Sequence, residues 1–109
     1  MGAAYYRAES ESGDHVEDLS EDALFMLIED LNDSDNTFVV IQPDEDDPVW
    51  FTSVSVLGES HYEVVRRDTT RREHDVVTET SVAQIAPDLT IWMAARHLLG
   101  RPTQQPSNL

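Results

Sequence analysis

Carboxylates dominate the side chains that could do chemistry in this chain, and they are unevenly spread. Residues 1–47 hold 15 of the 22 Asp and Glu residues and a single base, Arg7, while the other six arginines lie in residues 48–109. Two acidic clusters stand out, Asp33 with Asp35 and the run Asp44-Glu45-Asp46-Asp47 between Pro43 and Pro48, followed by Trp50. Clustered carboxylates can bind a hard cation, or they can meet a basic partner. The calcium-loop reading fails on spacing. Counted from Asp33, Phe38 stands where the loop needs glycine, and Asp44 stands where it needs a bidentate glutamate. The expectation is a partner-binding surface formed by Asp33, Asp35, Asp44, Glu45, Asp46, Asp47 and Trp50, with charge steering the encounter and the aromatic ring anchoring it.

Other chemistries find little support. His61 and His74 could sit on adjacent strands, but no third ligand has a defined spacing, so no metal is expected. The chain has no cysteine and only four glycines, so thiolate chemistry and Gly-rich phosphate loops cannot be written. No Gly-x-Ser-x-Gly elbow occurs. Arg66-Arg67 and Arg71-Arg72 could grip a phosphate, although cross-strand pairing with Glu63, Asp68, Glu73 and Asp75 would neutralise them. The expected protein is non-catalytic and has no cofactor. A net charge of −15 disfavours nucleic acid and anionic membrane as partners. No apolar run approaches the roughly 20 residues that span a bilayer. The first residues lack the basic-then-apolar order of a signal peptide, so the expected compartment is the cytoplasm.

These residues must be positioned by a small set of elements. Residues 1–18 are rich in Gly, Ser, Glu and Asp and read as a flexible acidic arm. Ser20 suits an N-cap, and Leu24, Leu27, Ile28 and Leu31 follow at helical spacing, widened by Phe25 and Met26. Thr37–Ile41 reads as a covered strand, and Val49–Leu57 as a second strand with Trp50, Thr52, Val54 and Val56 on its core face. Strands over 61–67 and 71–79 follow. Ser81 and Gln84 fit a capping box, and the last helix is expected to open at Pro87 with Leu89, Trp92, Met93, Arg96 and Leu99 on one face. The expected fold is α+β: a two-layer sandwich in which an N-terminal and a C-terminal helix cover one face of a four-stranded antiparallel meander. One domain spans 19–100, and 101–109 form a disordered tail.

The stretch Ser20-Glu21-Asp22-Ala23-Leu24-Phe25-Met26-Leu27-Ile28-Glu29-Asp30-Leu31 runs into Asn36-Thr37-Phe38-Val39-Val40-Ile41, then a Trp50-Phe51 strand and Tyr62-Glu63-Val64. This pattern resembles the small immunity proteins of bacterial polymorphic toxin systems over roughly residues 18–80. The resemblance implies a cytoplasmic protein that sequesters one toxin, and the acidic excess would suit a basic toxin such as a nuclease or deaminase. A structural or regulatory interaction domain without a toxin, or a small ligand-binding protein or enzyme, are the alternatives. The oligomeric state stays open.

Overall fold

The computed structural model describes residues 6–45, 47–58 and 61–99, with 97–99 described by backbone only. Six antiparallel strands and two helices follow in the order β1 (Tyr6–Ser10), β2 (His15–Glu17), α1 (Glu21–Glu29), β3 (Phe38–Pro43), β4 (Trp50–Gly58), β5 (His61–Asp68), β6 (Glu73–Glu79) and α2 (Val82–Leu99). The strands form one sheet in the order β2-β1-β3-β4-β5-β6. The α+β class and the β3–β6 meander match the sequence reading, but the sheet has six strands rather than four.

The two extra strands come from the expected acidic arm. Tyr6-Arg7-Ala8-Glu9-Ser10 alternates side chains in period two, and Ala8 and Ser10 are buried while Glu9 is exposed. β1 lies inside the sheet, pairing Ala8 with Val16 of β2 and with Ile41 of β3. Gly13 makes the turn possible. Its φ of +103 is a conformation that side chains resist, and its N–H donates to Ser10 O at 3.0 Å.

Every buried strand residue belongs to one alternating set. Ala8, Val39, Ile41, Trp50, Thr52, Val54 and Val64 share a face with Tyr62, Arg66 and Asp68, and the core is completed by Leu24, Ile28, Ile85, Leu89 and Met93 from the helices. The opposite face presents Phe38, Val40, Phe51, Val65 and Val76. α1 begins as expected, with Ser20 Oγ accepting from Ala23 N at 3.1 Å. Leu24 and Ile28 are buried, but Met26 is 69% exposed and does not extend the stripe.

α2 departs from expectation at its start. It runs unbroken from Val82 through Pro87 instead of opening at Pro87. The capping box does not form. Gln84 turns forward and donates to Asp88 Oδ1 and Oδ2, both at 3.1 Å. Ile85 and Ala86, which are 2% and 1% exposed, explain why the earlier turn is helical: burying them in the core offsets the missing proline N–H.

Candidate functional site

The acidic segments gather at the two ends of the sheet. At one end, here the upper, lie the β3–β4 loop, the link from β2 into α1 and the β5–β6 turn. The β1–β2 turn and the α1–β3 loop lie at the lower end. Asp33 and Asp35 are therefore separated from Asp44, Glu45 and Asp47 by the length of β3, about 17 Å at strand rise. The expected single surface is split in two. Asp46 lies outside the described residues.

At the upper end, Leu19 N donates to Tyr6 O at 3.0 Å, and Tyr6 pairs with Pro43. That junction sets Glu17, Asp18, Glu21 and Asp22 at the same end as Glu45 and Asp47, all with exposed side chains. The sequence alone does not show this gathering, because residues 1–18 read as a flexible arm. The alternation of Tyr6 to Ser10 was the available signal. Arg7 is the one base in this group, and its guanidinium lies 3.4 Å from Asp44.

Trp50 does not stand beside the loop as an exposed anchor. It is 6% exposed, with Tyr6 edge-on at 5.6 Å and Trp92 edge-on at 5.5 Å. Its strand face, correctly read as the core face, turns the ring under α2. Burial also pushes the Tyr6 hydroxyl pKa up.

The lower end is braced by side chains that hold the backbone. Asn32 Oδ1 accepts from Ser34 N and Asp35 N at 2.8 and 2.9 Å, an Asx turn that leaves Asp33 and Asp35 in solvent. The buried Asn36 joins two segments, accepting from Ser12 N at 3.2 Å and donating to Asp30 O at 3.1 Å. Glu11 Oε1 accepts from Thr37 Oγ1 at 2.6 Å and Thr37 N at 2.8 Å, and these bonds hold its carboxyl below the usual range. His15 shows the opposite shift. Its ring nitrogens lie 3.3 Å from Glu17 and 3.0 Å from Glu9, and both contacts favour the charged imidazolium.

Arginines concentrate on the far side of the upper end. Arg66 reaches Asp75 across the strands at 3.9 Å, and Arg67 Nη1 lies 3.1 Å from His74 Nδ1. Asp68 is not available to that hairpin pairing. Its Oδ1 accepts from Thr70 N, Thr70 Oγ1 and Arg71 N, while Oδ2 lies 3.1 Å from Arg96 Nε of α2. The Nε–H direction misses Asp68, so this contact is an ion pair without a hydrogen bond. Arg96 also approaches Glu73 at 3.6 Å and lies 4.4 Å over the Trp92 ring. With its side chain 7% exposed, Arg96 is a core cation rather than a ligand group.

His61 and His74 lie at opposite ends of the β5–β6 ladder, since His61 pairs with Gly58 and His74 with Arg67. Among the described residues no group of three or more His, Asp or Glu is placed to hold a metal ion. No described helix is long and apolar enough to cross a membrane. Comparison with protein-family models, with curated proteins and with solved structures returns no match to this chain.

Proposed function

We propose that this chain is a non-catalytic binding module whose acidic upper end captures a basic protein. The observation that carries the reading is the convergence of Glu17, Asp18, Glu21, Asp22, Glu45 and Asp47 from separate segments, with Arg7 already engaged by Asp44. Glu17 also lies 3.3 Å from His15, and Glu21 and Asp22 sit in the first turn of α1, but all six side chains remain exposed to a partner. Spread over one end, they offer a field that attracts arginine and lysine and speeds association. Asp33 and Asp35 form a secondary acidic patch at the lower end. Trp50 supports the site from inside the core and does not contact the partner.

The resemblance to immunity proteins narrows the partner to a basic toxin, neutralised because the carboxylates cover the side chains with which it would hold phosphates. A cytoplasmic location goes with that role. The test begins with capture of the partner from the native organism. Surface plasmon resonance at two ionic strengths then compares wild type with a variant carrying E21Q, D22N, E45Q and D47N. The variant should associate at least ten-fold more slowly at low salt, with a flatter salt dependence. An unchanged rate and slope would sink the reading.

A further inference from the structure

The two edges of the sheet are unlike. β2 is only His15–Glu17, whereas β6 runs from Glu73 to Glu79 without a bulge, and among the described residues no strand pairs with its outer side. Hydrogen-bond parity shows what that edge offers. Val56 N donates to Thr37 O, so Thr52, Val54 and Val56 turn their backbone groups toward β3. Phe51, Ser53 and Ser55 then face β5, in keeping with the bond from Thr69 N to Val49 O. It follows that Tyr62, Val64, Arg66 and Asp68 face β6 and bond Glu79, Val77, Asp75 and Glu73. The N–H and C=O groups of His74, Val76 and Thr78 are left pointing outward, and Val76 is 51% exposed.

The side chains along this edge select what could pair with it. Glu73, Asp75 and Glu79 share one face of the strand, and Val76 lies on the other between His74 and Thr78. Arg96 and Arg66 approach Glu73 and Asp75, yet those side chains remain 37% and 58% exposed. A second copy of β6 is rejected. In the full-length antiparallel register Glu73 would face Glu79, and sliding two residues either way sets Asp75 against Asp75 or against Glu79. Like charges directly opposite are destabilising, and two bodies of charge −15 repel besides. A strand with Lys or Arg at the matching alternate positions turns each of those clashes into an attraction.

We infer that the outer edge of β6 is a strand-addition site for an extended, basic segment of the protein partner, an inference that rests on the basic-partner reading above. Main-chain bonds to His74, Val76 and Thr78 give affinity, and Glu73, Asp75 and Glu79 give selection.

The probe is the blocked peptide Lys-Thr-Val-Val-Lys-Thr-Lys, which sets its lysines opposite Glu79, Asp75 and Glu73. It is titrated into the isotope-labelled full chain and followed by NMR, with poly-lysine titrated in parallel. Saturable shifts over Glu73–Glu79, with amide exchange of His74, Val76 and Thr78 slowed ten-fold or more, are expected. Replacing the lysines with glutamate should abolish them. V76P removes an outward N–H that no described strand uses, so it should fold and bind the peptide at least ten-fold more weakly. Should V76P not fold, methylating the amide of the peptide valine that faces Val76 applies the same block with the wild-type chain. Peptide binding that survives these blocks, or a silent β6, overturns the inference. Shifts elsewhere from poly-lysine would then leave the basic-partner reading standing, and none from either probe would remove both.

Discussion

Arg96 and Asp68 show how a buried charge pair can hold this fold together. Asp68 is 3% exposed and organises the β5–β6 turn through Oδ1, while Arg96 answers its charge from α2 and stacks on Trp92. Removing one partner of a buried pair leaves a charge uncompensated, at a cost of about 3–5 kcal/mol. Arg96→Met should therefore lower unfolding free energy in urea by about 3 kcal/mol or more. Adding Asp68→Asn, which keeps the turn acceptor but removes the charge, should recover part of that loss. If Arg96→Met alone costs under about 1 kcal/mol, the pair is a surface contact in energetic terms.

His15 and Glu11 give two opposite pH effects at the same hairpin. The folded pKa of His15 is raised, by Glu17 first and Glu9 second, so its contribution is fully present below the ordinary histidine pKa of about 6.5 and fades as pH rises through the folded value. Glu11 is lowered by Thr37, so its contribution is present above the ordinary carboxyl range and is lost as pH falls through the folded value. Amide exchange at Val16, corrected for intrinsic pH dependence, should quicken from pH 6 to pH 8. Exchange at Thr37 should quicken on acidification. His15→Gln should remove the first effect and leave the second.

At the scale of elements, the β1–β2 hairpin decides whether β3 is an interior strand. β1 covers the side of β3 away from β4, and Ala8 and Ser10 are buried there. Deleting residues 1–17 would expose the edge of β3 and uncover Val39 and Ile41, which are fully buried. The truncated chain should lose its cooperative thermal transition by circular dichroism. A melting temperature within a few degrees of wild type would return the segment to the status of a dispensable arm. α1 makes its contribution through Leu24 and Ile28, both at 0% exposure. Ile28→Ala should cost about 2–5 kcal/mol, whereas Met26→Ala, on the exposed side, should stay within about 0.5 kcal/mol.

At the scale of the whole molecule, a charge of −15 on 109 residues sets the fold against itself. The described ion pairs are few and mostly at the surface, so repulsion among the two acidic ends should outweigh them. Screening should then stabilise: the melting temperature at 0.5 M sodium chloride should exceed that at 10 mM, read by differential scanning calorimetry. A fall with salt would mean that attractive pairs dominate. Partner binding draws on the same field. Under the proposed function, the charge that would steer a basic protein to the upper end is the charge that strains the free chain.

Local periodicity determined much of this protein directly from its residues. The stripe of Leu24, Ile28 and Leu31, the alternation of Trp50, Thr52 and Val54, and the Ser20 cap could be read because each depends on neighbours within one element. The asymmetry of charge could be read because it is a count. What required tertiary structure was everything that joins distant segments. An acidic, glycine-containing stretch becomes an internal strand because β3 supplies a partner some thirty residues away. Pro87 sits within α2 because the burial of Ile85 and Ala86 outweighs a local preference. Trp50 turns from an expected anchor into core because α2 brings Trp92 over it, and one expected acidic surface becomes two because β3 stands between its halves. Sequence spacing carries no information about such contacts, since they are set by which elements pair and pack in space.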